Sequence, residues 1–247
     1  MDVIVVRDYR EMSRKAADIV AGFIKERPDA VLGLPTGNTP KGMYEELVRR
    51  HREEGLDFSR LTTFNLDDYA GLGPDHPASF AYYIKAHLLD HVNIPRHQAH
   101  WPDALAADDA ACRAYEEAIR RAGGLDFVIL GIGANGHIAF NEPGTSFDSR
   151  THVGPLAEET RRAAADGVTF ATVDDVPRYG ITMGIQTILE AKRVLLLASG
   201  AGKARAIAAA VAGPVTEEVP ASVLQRHPTV TFLLDEAAAS QLPAGRA

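Results

Sequence analysis

Cysteine is nearly missing: Cys112 is the single one in 247 residues, so the chain cannot close an internal disulfide. Long apolar runs are missing as well. Stretches such as "RVLLLAS" fall far short of the roughly 20 residues that a membrane-spanning helix needs, which excludes a membrane partner of that kind. Basic charge is in short supply, with 26 Lys and Arg against 33 Asp and Glu, and the cations are scattered. A net charge of −7 without a basic face excludes a nucleic-acid footprint, so any anion must be bound locally. There is no Ser/Gly/Pro-rich linker, no block of one charge sign and no fixed repeat, and residues 1–247 are expected to form one domain. The opening "MDVIVVRDYREM" has neither the basic start nor the apolar run of a signal peptide. A cytoplasmic protein is the expectation.

What the sequence does contain is alternation. Short β-branched or Leu-rich runs at 3–6, 30–34, 61–66, 127–130 and 194–198 are interleaved with amphipathic, Ala-rich stretches. Those stretches cover 11–25, 41–52, 79–89, 108–121 and 203–211 and read as helices. Strand and helix in turn predict a three-layer α/β fold, a mostly parallel, Rossmann-like sheet with helices on both faces. Ligands collect at the carboxyl ends of such strands, so the informative residues should lie just after them.

Four loops qualify. In "VLGLPTGNTPKGMYEEL", Thr36, Gly37, Asn38 and Thr39 lie between a strand and Pro40, a residue suited to a first helical turn. Small residues there leave backbone N–H groups free to hold a phosphate, although Asn38 or Thr39 could equally serve as a plain helix cap. In "VLLLASGAGKARAIAAAV", Lys203 opens a helix after a glycine turn. Leu197 and Ala204 stand where a nucleotide P-loop needs Gly and Ser or Thr, so what survives is a one-lysine anion pocket or a solvated surface charge. In "TTFNLDDYAGL", Asp67 and Asp68 follow a strand, as turn-formers or as a proton-transfer base. Strand alternation would let one of them face a site and not both.

The fourth loop, "GIGANGHIAFNEPGTS", opens with a literal Gly-x-Gly-x-x-Gly at Gly131, Gly133 and Gly136. A dinucleotide fingerprint needs those glycines to open a helix, yet Pro143 and Gly144 interrupt one, and no acid stands at a strand end about 20 residues on. The glycines instead permit close approach of a ligand, and His137 with Glu142 five residues later looks like a base and its orienter.

The motifs "LGLPTGNTP", "TTFNLDDYAGL", "LGIGANGHIAFNEPGTS", "SRTH", "VPRYGITMG" and "SGAGKA", in this order, resemble those of glucosamine-6-phosphate deaminases along nearly the whole chain. The resemblance implies conversion of glucosamine 6-phosphate and water to fructose 6-phosphate and ammonia, without metal or cofactor. It implies that His137, with Glu142, assists ring opening, that Asp67 moves a proton between C2 and C1, and that residues 36–39 and Lys203 hold the phosphate. Competing readings in the same fold are a 6-phosphogluconolactonase-like enzyme, a galactosamine-6-phosphate deaminase or a non-catalytic sugar-phosphate sensor. The sensor would carry a DNA-binding module before the first strand, and with a strand expected at 3–6 none is expected here.

Three departures from the family pattern matter. Asn135 stands where many members have Asp; it is expected to hold an imidazole tautomer but cannot stabilise an imidazolium as a carboxylate does. Asp166, Gly167 and Val168 stand near where members carry a phosphate-binding Arg, leaving Arg161, Arg162 or Arg178 as substitutes. Members activated by N-acetylglucosamine 6-phosphate have basic residues after Ser-Arg-Thr and a longer tail; here those places hold His152 and Gly154, and the sequence stops at "QLPAGRA". No such activation, and a monomer or small homo-oligomer, are therefore expected.

Overall fold

The computed structural model describes residues 1–245; the last two residues of "QLPAGRA" lie outside it. In chain order, β1 (Asp2–Val6) leads to α1 (Tyr9–Glu26), β2 (Val31–Leu34) to α2 (Lys41–Glu54), and β3 (Thr62–Asn65) to β4 (Asp67–Tyr69) and α3 (Phe80–Ile84). Next come β5 (Ala99–His100), α4 (Asp109–Arg121), β6 (Phe127–Leu130), β7 (His152–Pro155), α5 (Glu158–Ala164) and β8 (Tyr179–Thr182). The order closes with α6 (Ile185–Leu189), β9 (Val194–Ala198), α7 (Ala204–Ala212), β10 (Val230–Asp235) and α8 (Glu236–Ala239).

Local chemistry sets the helix starts. Asp8 accepts the Glu11 N–H at the head of α1, and Asp108 does the same for Ala111 at α4, each supplying a partner to a donor that the first turn leaves free. The stretch 79–89 is not one regular helix: Ser79 caps α3, which passes into a π-helical turn at Lys85–Leu89.

Seven parallel strands form the main sheet in the order β1-β10-β9-β6-β2-β3-β5. Its central strands are apolar at every position because both faces are covered. In β6, Phe127 and Ile129 pack with Met12, Val20 and Leu47 of α1 and α2, while Val128 and Leu130 pack with Tyr115, Ile119 and Ile207 of α4 and α7. The three layers expected from the alternation are thus present. A second sheet, antiparallel and in the order β4-β8-β7, was not foreseen. The chain leaves the main sheet at Leu66, whose N–H still reaches Leu34 O at 3.3 Å while its own carbonyl accepts from Met183 at 2.7 Å.

Candidate active site

Along the chain, β2, β3 and β5 are laid down toward one edge of the main sheet, whereas β6, β9 and β10 run toward the other. The direction of winding reverses between β2 and β6, and the loops beyond their carboxyl ends must diverge there and leave a crevice. A cavity of about 580 Å³ occupies that position, lined by residues 35–39 after β2, Asp67 after β3, 131–135 and His137 after β6, and Ser199 and Lys203 after β9. All four loops singled out in the sequence therefore open on one space.

The loop after β2 is no ordinary helix cap. Pro40 occupies the cap position of α2, no side chain caps that helix, and the N–H groups of Thr36, Gly37, Asn38 and Thr39 have no partner among the described residues. Gly37 has φ +94°, a backbone setting that glycine adopts without the steric cost a side chain would bring. Across the cavity, Asp235 accepts the Gly200 N–H at 3.0 Å and the Ser199 hydroxyl, fixing the turn that carries Lys203. Lys203 is partly buried rather than a free surface charge, and burial draws its pKa below the ordinary lysine value, with Glu159 opposing the shift.

The two adjacent acids part company. Asp68 Oδ1 accepts the N–H groups of Tyr69 and Phe80, both at 2.8 Å, and Oδ2 accepts that of Ala81 at 3.0 Å. Its carboxylate is spent on anchoring α3. Asp67 lines the cavity, and its carboxylate has no hydrogen-bond partner among the described residues although it is only 6 % exposed. Burial first, and the neighbouring Asp68 charge second, push its pKa well above the carboxylate range.

In the loop after β6 the glycines make room for an imidazole. A Cβ on Gly133 would sit 2.3 Å from the His137 ring, and Gly136, at φ +89°, would drive one to 2.9 Å from Val219. His137 Nδ1 faces Glu142 Oε2 and Thr160 Oγ1, both at 3.4 Å, and its Nε2 has no partner among the described residues. Burial by itself would raise the Glu142 pKa. The hydrogen bond and charge of His137, with donors that include Asn135, outweigh it and hold the carboxyl at about 2. Asn135 does not hold the imidazole tautomer as expected. Its Oδ1 accepts the His137 backbone N–H at 3.2 Å and its Nδ2 donates to Glu142 Oε2 at 2.8 Å, so it reaches the ring only through the carboxylate.

The three arginines expected to replace the missing family Arg are all absent from the cavity wall, where Lys203 is the one lysine or arginine among the described residues. Arg161 is committed to the carbonyls of Val173 and Val176, Arg162 pairs with Glu158, and Arg178 is exposed. Asp166 does reach the wall, with its carboxylate turned onto the N–H groups of Val168 and Thr169. Two features had no sequence signal. Thr160 meets His137 from α5, 23 residues downstream, and Tyr69, Phe80 and Phe140 build an aromatic wall with ring centroids 4.9–5.3 Å apart. Contributions from separate segments leave no local pattern to read.

The family described as glucosamine-6-phosphate isomerases/6-phosphogluconolactonase matches this chain over residues 8–233. The chain belongs to that family. Within it, the glucosamine-6-phosphate deaminase of Bacillus velezensis is 52% identical over 240 residues, covering 97% of this chain and 99% of the relative. Glucosamine-6-phosphate deaminase 1 of Bacillus subtilis is 49% identical over 244 residues, 98% of this chain and all of its own length. Among solved structures, a monomeric glucosamine-6-phosphate deaminase superposes with a TM-score of 0.94 at 48% identity, covering 98% of this chain and 100% of that one. The 6-phosphogluconolactonase of Trypanosoma cruzi, at 23% identity, 98% and 97% coverage and a TM-score of 0.76, shares the fold. The glucosamine-6-phosphate isomerase and lactonase family thus has two named activities, and the cavity's side chains must choose between them.

Proposed function

We propose that this chain is a glucosamine-6-phosphate deaminase, isomerising the aldose and releasing ammonia to give fructose 6-phosphate. The observation that carries the reading is Asp67, a buried carboxylate without a hydrogen-bond partner among the described residues, on the same wall as His137 and the two loops with free amides and Lys203. Lactone opening needs an activated water. Aldose–ketose transfer needs a carboxylate that takes a proton from one carbon and returns it to the next, and a desolvated, pKa-raised carboxylate is a strong base once ionised.

The phosphate is held by Lys203 and the amides of residues 36–39, which leaves the sugar carbons between Asp67 and His137. With Nδ1–H donating to Glu142, His137 Nε2 takes the proton of the C1 hydroxyl and returns it to the ring oxygen as the C1–O5 bond breaks. Asp67 then removes the C2 proton while the C2 ammonium of the substrate passes one of its own to O1, giving a neutral enolamine, and Asp67 delivers the carbon-derived proton to C1. The C2 iminium that results adds water and expels ammonia, leaving a ketone. Asn135 acts as a positioning residue that holds both Glu142 and the His137 backbone.

The test is Asp67→Asn, which keeps the shape and removes the base. Turnover should fall on the order of 10²–10⁴-fold with substrate affinity nearly unchanged; an unaltered kcat would move the role elsewhere. A sugar phosphate does not cross membranes unaided, which supports placing the reaction in the cytoplasm, and no described helix is long and apolar enough to span one. The 48% identical monomeric deaminase supports a monomer or small homo-oligomer.

A further inference from the structure

Three tyrosine hydroxyls converge on the short loop after β2. Tyr44 Oη donates to Pro35 O at 2.7 Å, Tyr83 Oη to Gly37 O at 2.6 Å, and Tyr9 Oη to Asn38 O at 3.0 Å. The three phenols come from three different elements, α1, α2 and α3. Tyr9 also accepts the Gly42 N–H at 2.9 Å, which ties the first turn of α2 to the same point.

In a trans peptide the carbonyl of one residue and the N–H of the next point in opposite directions across a rigid plane. Every peptide bond among the described residues is trans. Binding the carbonyls of Pro35, Gly37 and Asn38 therefore sets the directions of the N–H groups of Thr36, Asn38 and Thr39. Those three N–H groups are unpartnered among the described residues, and residues 35–39 line the cavity. Without an anchor, a peptide plane in a loop carrying Gly37 at φ +94° can turn and present its carbonyl dipole to an anion. Tyr44 is fully buried and Tyr83 partly so, and burial is the first cause of the upward shift of both phenol pKa values, so both stay protonated donors.

We infer that Tyr9, Tyr44 and Tyr83 are positioning residues that clamp the carbonyls of the 35–39 loop outward, so that its amides face the substrate phosphate as a preorganised anion cradle. This rests on the sugar-phosphate reading above. Tyr9 and Tyr44 are outside the cavity wall, so their effect on a phosphate can reach it only through the loop, whereas Tyr83 also touches the cavity.

The test replaces each phenol by its isostere: Tyr9→Phe, Tyr44→Phe and Tyr83→Phe. Three quantities are read, namely KM and kcat with glucosamine 6-phosphate, competitive inhibition by inorganic phosphate, and kcat/KM with unphosphorylated glucosamine. Each variant should raise KM and weaken phosphate inhibition together by about two- to tenfold, the worth of one hydrogen bond. At saturation kcat should stay within about twofold, and the glucosamine value should not move. Tyr9 is 38 % exposed, so its variant keeps the test sound should Tyr44→Phe fail to fold. Unchanged KM in Tyr9→Phe, or equal losses with glucosamine and its phosphate, would overturn the inference while the deaminase reading stood. A wild-type protein that neither releases ammonia nor is inhibited by phosphate would overturn both.

Discussion

Asp67 is costly to the fold in the form that chemistry needs. A carboxyl whose native pKa is raised binds more protons folded than unfolded, so its contribution to stability is present at low pH and is lost as pH rises through the raised value. Asp67→Asn should therefore raise the melting temperature at neutral pH even as turnover falls on the order of 10²–10⁴-fold, and the gain should vanish near pH 3, where the wild-type carboxyl is protonated in both states. A lower melting temperature for the variant at pH 7 would contradict this account of the group. The same shift places the acid limb of kcat/KM above the ordinary carboxylate range. At Gly133 the constraint is purely steric. Gly133→Ala should displace the imidazole that lies 2.3 Å from the new Cβ, and reduce kcat on the order of 10²-fold with circular dichroism unchanged. Wild-type kcat in that variant would mean that the ring position does not matter. The sequence pointed to an acid pair and could not choose, because Asp67 and Asp68 differ only in what lies opposite them. Three backbone donors claim Asp68, the N–H of Tyr69 beside it and those of Phe80 and Ala81 at the start of α3, the last 13 positions away.

At the level of elements, the long buried strands were legible because their pattern is local. The run "FVIL" of β6 is apolar at each position, and so is "VLLLA" of β9. The second sheet was not legible. Its strands "DDY", "HVGP" and "YGIT" are three or four residues long and carry no alternation, and β4 is held by pairing Asp67–Tyr69 with the distant Gly180–Thr182. The anion loops were legible as glycine turns between strand and helix, but their convergence was a matter of strand order. Lys203 is the test of that convergence. Lys203→Ala should weaken binding of the phosphorylated sugar by about 1.5–3 kcal/mol, roughly 10- to 150-fold, with little change for unphosphorylated glucosamine. Calorimetric titration with substrate analogue and with inorganic phosphate reads this directly, and equal affinity in variant and wild type would return the lysine to the surface. With no second lysine or arginine on the wall among the described residues, the loop amides matter more than in a site with an arginine.

For the molecule as a whole, winding outward from between β2 and β6 is what gathers residues 36, 67, 137 and 203 into one crevice, although they are spread over most of the chain. Regulation is a separate matter. His152 lies on β7 with its Nδ1 against the Arg150 carbonyl, Gly154 has no side chain, and the Arg150 guanidinium is engaged by Glu190, so this region offers few free charges for an activator's phosphate. Steady-state rates should be hyperbolic in substrate and indifferent to N-acetylglucosamine 6-phosphate, and the protein should elute as a monomer or small oligomer. A sigmoidal curve made hyperbolic by that compound would overturn this expectation. The central claim, that the crevice deaminates an amino-sugar phosphate, is tested most directly by ammonia release from purified protein given glucosamine 6-phosphate, galactosamine 6-phosphate and 6-phosphogluconolactone in parallel. Ammonia in equal amount to fructose 6-phosphate is expected from the first substrate; no ammonia above blank, together with rapid opening of the lactone, would rule out the deaminase reading.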